Sequence, residues 1–362
     1  KNMRAWAVLL MILGQACAVA PPTLGFNFAV ALQKNPLPVA TAAAVVQKTG
    51  VRQLKLFDYN VTTLSVLQAA YTSSQNLQIT VAVPNNEIAL LANGTAHAAS
   101  VASILKPFAS ILAFVAVGNE PLAPWYGGQY SANLGAAVSN MQSALASAGL
   151  SINVTVPFQM GILFTSYPPK AGAFQPAYIP IITPVLQSLA NTNSSFMINI
   201  YPYFAWRDGN GAISLDYATG KSGITVDGNT YDSLFDAQYT AVRAAVDSLN
   251  FTSVPIVVGE TGWPTAGHAG ATVDNAKAYV NNLIKGVASS SRSVFIFEAF
   301  DEMRKDTTGA NPTENHWGVY YENGSPKYEV AAFAPEVVTS HGSRFGTKGF
   351  FVLCALTVFA MW

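Results

Sequence analysis

Eight times along the chain, a short run of apolar, β-branched residues gives way to a longer stretch rich in alanine. The runs are TLGFNF from Thr23, RQLKLFDY from Arg52, QITVAVPN from Gln78, AFVAVGNE from Ala113, INVTVPFQ from Ile152, FMINIYPY from Phe196, PIVVGETGW from Pro255 and VFIFEAFDE from Val294. Near-continuous apolar strands imply a parallel sheet covered on both faces, because each parallel connection lays a helix over the sheet. The intervening stretches fit that role. Tyr130 to Gly149 ends on the glycine expected beyond a helix C-terminus. The stretches from Tyr231 and from Thr272 open with helix-starting residues. Eight such units predict a closed (β/α)8 barrel of the α/β class. The competing arrangement is a doubly wound open sheet. It is weakened by the lack of a dinucleotide-type glycine fingerprint after the first run.

The longest insertion runs from Phe204 to Ser233, between the sixth and seventh strands. Its Phe204, Trp206, Tyr217 and Tyr231 argue for a folded excursion that walls a cleft, against a mobile surface loop. No linker and no appended module are visible, so the body of the chain reads as one domain.

In a (β/α)8 barrel, active sites lie at the C-terminal ends of the strands. Two of the runs end alike: Gly118-Asn119-Glu120 closes the fourth and Gly259-Glu260 closes the seventh. Strands four and seven stand nearly opposite around the ring, so these two acids can face each other across its mouth. Paired carboxylates across a cleft are the machinery of glycoside hydrolysis. One gives a proton to the leaving oxygen, and the other attacks the anomeric carbon or activates water. A separation of about 5–5.5 Å favours double displacement with retention of configuration. Asn119 is placed to hydrogen-bond a sugar 2-hydroxyl, and Trp263 offers a flat face to a sugar ring. The competing reading of each glutamate is a salt bridge at a strand end.

The eighth run carries Glu298, Asp301, Glu302, Arg304 and Lys305, and Glu314, His316 and Trp317 follow. Glu302, Lys305 and Glu314 are candidates for an ionic network that keeps the two catalytic pKa values apart. Asp301 and Arg304 read as a solvated rim. Tyr201 and Tyr203 end the sixth strand; alternation of side chains sends one of them into the core.

Other chemistries fit poorly. The four histidines are scattered without metalloprotease spacing. There is no Gly-x-Ser-x-Gly elbow and no P-loop. The formal net charge is zero with only 10% charged residues, which argues against a nucleic-acid partner.

The two ends read differently from the body. Residues 1–18 have Lys1 and Arg4 before an apolar run and small residues, the pattern of a secretory signal peptide. Residues 339–362 pass from a polar, small-residue stretch into an apolar tail, the pattern of a GPI-anchor signal, with a packed C-terminal helix as the alternative. Residues 19–338 are then the catalytic domain. Both cysteines, Cys17 and Cys354, lie in the end segments. Six Asn-x-Ser/Thr sequons, at Asn60, Asn93, Asn153, Asn193, Asn250 and Asn323, agree with export to a cell surface or wall.

With these motifs in hand, the chain resembles glycoside hydrolase family 17, the β-1,3-glucanases, from about Thr23 to Phe333. VGETGWPT matches that family's signature; VGNE, NIYPYF, FEAFDE with Lys305, and ENHWG follow its order. The wording of FEAFDE and HWG is closer to fungal or oomycete members. The resemblance implies a retaining (β/α)8 enzyme that needs no metal and acts on β-1,3-glucan; no other cofactor is expected, and the chain is expected to be a monomer. It implies Glu260 as nucleophile and Glu120 as acid/base. Glu302, Lys305 and Glu314 would support them, and Tyr201 and Trp263 would contribute to sugar subsites. Phe57 stands where plant members often carry tyrosine, so a subsite contact is expected to be lost there. Two alternatives share the motifs: a transglycosylase that remodels wall glucan, and a non-catalytic glucan-binding wall protein. Whether cutting is endo or exo is open at this level.

Overall fold

A computed structural model describes residues 23–71 and 75–331. The leader at 1–18 and the tail at 339–362 lie outside the described residues. Eight strands follow the predicted runs: β1 Thr23–Asn27, β2 Gln53–Lys55, β3 Gln78–Val83, β4 Leu112–Val117, β5 in two halves, Asn153–Thr155 and Pro157–Gln159, β6 Phe196–Asn199, β7 Ile256–Thr261 and β8 Ser293–Ile296. Neighbours pair in parallel from β1 through β4 to the first half of β5. The second half of β5 pairs with β6, which pairs with β7, then β8, and β8 returns to β1. The sheet therefore closes, and Val156 is the point where β5 changes partner. A continuous strand there would have to serve both neighbours along its whole length; the split lets each half serve one.

Seven helices cross between these strands: α1 Val39–Gln47, α2 Val61–Ala70, α3 Ala96–Leu105, α4 Leu134–Ser147, α5 Ile179–Asn191, α6 Leu234–Ser248 and α7 Val273–Ala288. Their starts are chemically specified. Asn60, Ser233 and Thr272 each accept a hydrogen bond from the backbone N–H three residues on, satisfying a donor that the first turn leaves free. Past β8 the described residues contain no further α-helix. A 3-10 turn, Pro312–Asn315, and irregular chain occupy that place.

The apolar core has two parts. Leu24, Phe26, Leu54, Val258 and Ile296 belong to the large cluster shared with the helices. Met197, Val257 and Phe295, the alternate residues of β6, β7 and β8, form a small separate cluster. A strand sends successive side chains to opposite faces, so this second cluster fills the barrel interior below the site.

The excursion before α6 is folded, as its rings predicted. It contains the short helix Pro202–Asp208 and an antiparallel hairpin, Ile224–Val226 with Asn229–Tyr231. A second excursion, between β5 and α5, went unforeseen: Leu163–Thr165 pairs antiparallel with Ala173–Phe174.

Candidate active site

Glu260 owes its position to an irregularity in β7. In the pairing with β6, Val258 faces Ile198 but Glu260 faces Asn199, so Gly259 is an extra residue in the ladder. Such a bulge re-aims the side chain that follows it. The turn is compact: a Cβ on Gly262 would stand 2.0 Å from the carbonyl oxygen of Phe297, a contact only glycine permits. The buried Glu260 carboxylate is held on both oxygens. Lys55 Nζ donates to Oε1 at 2.8 Å, and the Tyr201 hydroxyl donates to Oε2 at 2.7 Å.

Lys55 was not among the residues expected to act. It ends β2 with a fully buried side chain. Besides Glu260 it donates to Asn27 Oδ1 and Asn119 Oδ1, each at 3.3 Å, and its ammonium sits 4.2 Å from the centre of the Phe57 ring. A buried cation needs such compensation. The available signal was its place between Leu54 and Leu56: alternation points it away from the helices, into the barrel mouth. Asn27 was also missed; its amide donates to the Gly259 carbonyl at 3.1 Å and so supports the bulge.

Glu120 stands on the turn after β4. Gly118 has φ +73°, and Glu120 itself adopts φ +50°, a left-handed conformation uncommon outside glycine and asparagine. A clamp maintains it. Asn85 accepts from the Asn119 N–H and donates to the Asn119 carbonyl, both at 2.8 Å, while the Glu120 N–H donates to Pro157 O at 2.8 Å. A Cβ on Gly118 would strike Asn85 Oδ1. The Glu120 carboxyl accepts from Asn199 Nδ2 at 2.8 Å. Its pKa is raised to about 7, first by burial and then by the charge of Glu260; Asn199 and Lys55 pull the other way. Burial, followed by the charge of Glu260, also pushes the Tyr201 phenol well up, so that hydroxyl stays a donor.

Glu120, Glu260, Asn119 and Tyr201 all open on one cleft of about 1000 Å³, and so do Glu302, Lys305 and Glu314. Lys305 Nζ lies 3.4 Å from Glu302 and 3.7 Å from Glu298. Burial alone would lower the Lys305 pKa; the carboxylates of Glu298, Glu302 and Glu314 outweigh it and hold it up. Glu314 is raised by burial, against the pull of Lys305. Glu298 is buried with neither carboxyl oxygen hydrogen-bonded, and burial raises its pKa well above the ordinary carboxyl range.

Three expectations need correction or division. Trp263 offers no face to a sugar: it is 1% exposed, its indole N–H donates to Gly270 O at 2.8 Å, and Tyr203, Trp206 and Tyr279 enclose it. The chain turns after Gly262 and sends the indole into the aromatic layer behind the cleft. Trp317 and Phe204 line the cleft instead, with Trp125. Asp301 is not on a solvated rim but buried, paired with Lys327 at 2.6 Å. Arg304, by contrast, is exposed and bonds Ala31 O, as a rim residue does. Of the two tyrosines, Tyr203 is the core residue and Tyr201 the site residue. Phe57 lines the cleft without a hydroxyl to offer.

The arrangement suits proton transfer joined to nucleophilic attack. One carboxyl keeps its proton near neutrality, while the other accepts hydrogen bonds from an ammonium and a phenol. Among the described residues, no cluster of histidine, cysteine or acidic groups is arranged to hold a metal ion.

A profile described as "Glycosyl hydrolases family 17" matches residues 24–332. Two curated plant proteins are similar over most of their length. A glucan endo-1,3-beta-glucosidase of Vitis vinifera is 35% identical, the match covering 82% of this chain and 88% of that protein. A putative glucan endo-1,3-beta-glucosidase GVI of Hordeum vulgare is 32% identical, covering 85% of this chain and 96% of its own. Among solved structures, the Cryptomeria japonica pollen β-1,3-glucanase CJP38 superposes with a TM-score of 0.79 at 33% identity, over 86% of this chain and 99% of that one. These relatives are plant proteins, so a closer kinship to fungal or oomycete members has no support from them.

Proposed function

Since the chain belongs to glycosyl hydrolases family 17, we propose that it is a β-1,3-glucan endohydrolase working by double displacement through Glu120 and Glu260. The observation that carries this reading is the unequal pair in one cleft: a carboxyl raised to about pH 7 beside a carboxylate held by Lys55 and Tyr201. In the first step Glu120 gives its proton to the glycosidic oxygen, and Glu260 attacks the anomeric carbon. The C–O bond to the leaving chain breaks, and a covalent glycosyl-enzyme forms. In the second step Glu120, now a carboxylate, takes a proton from water. The water oxygen displaces Glu260, and configuration is retained. Asn119 is proposed to hold the sugar 2-hydroxyl, with Glu302, Lys305 and Glu314 fixing the field around the pair. An endo mode is supported by the names of the relatives and by a cleft at the upper end of the usual pocket range of roughly 300–1,000 Å³.

A time course on laminarin tests this. Mixed oligosaccharides should appear before glucose; glucose alone from the start would overturn the endo reading, and products longer than the input would mean transfer to sugar in place of water. Glu260→Gln should lower kcat by about a thousandfold or more in protein that circular dichroism shows still folded at the assay temperature, although the loss of Lys55's partner lowers its melting temperature. More than a few per cent of residual activity would remove Glu260 from the nucleophile's role.

Export to a cell surface or wall is proposed on the strength of the leader and tail patterns. Five of the six sequon asparagines are exposed, which agrees; Asn153 instead lies half-buried within β5. Glycosidase treatment followed by mass determination of protein made in a eukaryotic secretory host decides it.

A further inference from the structure

Resting on the glucanase reading above, we propose that Trp125 is a stacking platform for a glucosyl unit of the substrate some distance from the bond that is cut, which makes the enzyme selective for long chains. Trp125 is 69% exposed, and yet it lines the cleft that holds Glu120 and Glu260. Phe164 and Tyr167 are as exposed, but Trp125 lines the cleft, where its flat apolar ring is open to a ligand. The ring is not on a loose loop. Pro124–Tyr126 forms a 3-10 turn that begins four residues after Glu120. Ala123 N–H donates to Glu120 O at 2.9 Å, Tyr126 N–H to Ala123 O at 3.0 Å, and Gly127 N–H to Pro124 O at 3.0 Å. The Trp125 ring centre stands 5.9 Å from that of Tyr126, which stands 5.2 Å from that of Tyr130. This turn therefore fixes both the acid/base and the exposed indole.

A second observation points to the same ligand class. Gln159, at the end of β5, lines the same cleft, and its Oε1 is buried without a hydrogen-bond partner. Its Nε2 reaches Leu122 O at 3.4 Å, which ties it to the turn that carries Trp125. An apolar ring face and an unpaired acceptor together suit a glucosyl residue, which has C–H-rich faces and donating hydroxyls. A neutral polysaccharide also fits the absence of strong charge excess in the chain. Trp125 extends the cleft lining beyond Glu120 and Glu260.

The test measures Trp125→Ala and Trp125→Phe against wild type on laminariheptaose and laminaritriose. Trp125→Ala should raise KM on the heptaose about tenfold with kcat changed far less, a loss of about 1.4 kcal/mol, as for truncation of a principal aromatic contact. The loss on the triose should be several-fold smaller, and Trp125→Phe should restore most of the affinity for the heptaose. Equal losses on both lengths, or no loss on either, would overturn the proposal. Binding of the heptaose to Glu260→Gln, with and without Trp125→Ala, gives the same comparison free of turnover. Wild type that binds heptaose through Trp125 but releases no sugar would sink the glucanase reading alone. Hydrolysis by wild type with binding indifferent to Trp125 would sink only the platform.

Discussion

On the proposed mechanism, Glu120 is the residue on which pH acts. Its raised value means the proton needed for the first step is present below about pH 7 and is lost above it. We expect kcat/KM on laminarin to fall through an alkaline limb centred near that value, by tenfold for each further pH unit once the limb is established. A limb near the ordinary carboxyl range would show that burial and Glu260 do not act on Glu120 as described. Both acids were legible in the sequence because each closes an apolar run behind a glycine, a pattern with little use in a core. Lys55 was not, because a lysine between two leucines at a strand end reads as a polar interruption until the ring closes and shows which face it occupies. Trp263 was misread for the opposite reason. Nearness in sequence to Glu260 said nothing about the turn at Gly262, which carries the indole to the other side of the strand.

At the scale of elements, the ends of β7 and β8 touch through backbone. Gly262→Ala places a methyl 2.0 Å from Phe297 O, and neither partner is a flexible side chain. Strain of this kind costs about 1–3 kcal/mol, which in a domain of this size lowers the melting temperature by several degrees. Thermal unfolding checks it, and a change below about one degree would mean the two strand ends separate at little cost. The strands and the capped helices α6 and α7 followed from apolar runs and from Ser233 and Thr272. The hairpin after β5 did not: its strands are two and three residues long, below what periodicity detects. The split of β5 at Val156 was equally hidden, since β5 reads as one apolar run and only the pairing partners divide it.

Taken whole, the molecule carries a buried acid, Glu298, that contributes to how its stability depends on pH. Glu298 titrates well above its ordinary 4.5 because burial disfavours its charge. Between those two values the native state holds a proton that the unfolded chain has lost, so stability falls as pH rises across the window. Glu298→Gln removes that residue's share of the dependence. The stability advantage of the variant over wild type, followed by thermal unfolding, should widen as pH rises above the ordinary carboxyl value of 4.5. A constant gap would show that Glu298 is ionised in the fold. The closed barrel itself was predictable from eight repeats of one pattern, because a parallel sheet with every strand buried has few ways to end. Lys55 adds something the pattern could not convey. A single ammonium bonds groups drawn from β1, the β4 turn and β7, so it joins distant sectors of the ring. Chemical competence and ring integrity are thereby fastened by the same knot, and loss of turnover on heating belongs to the same cooperative event as the melting of the barrel.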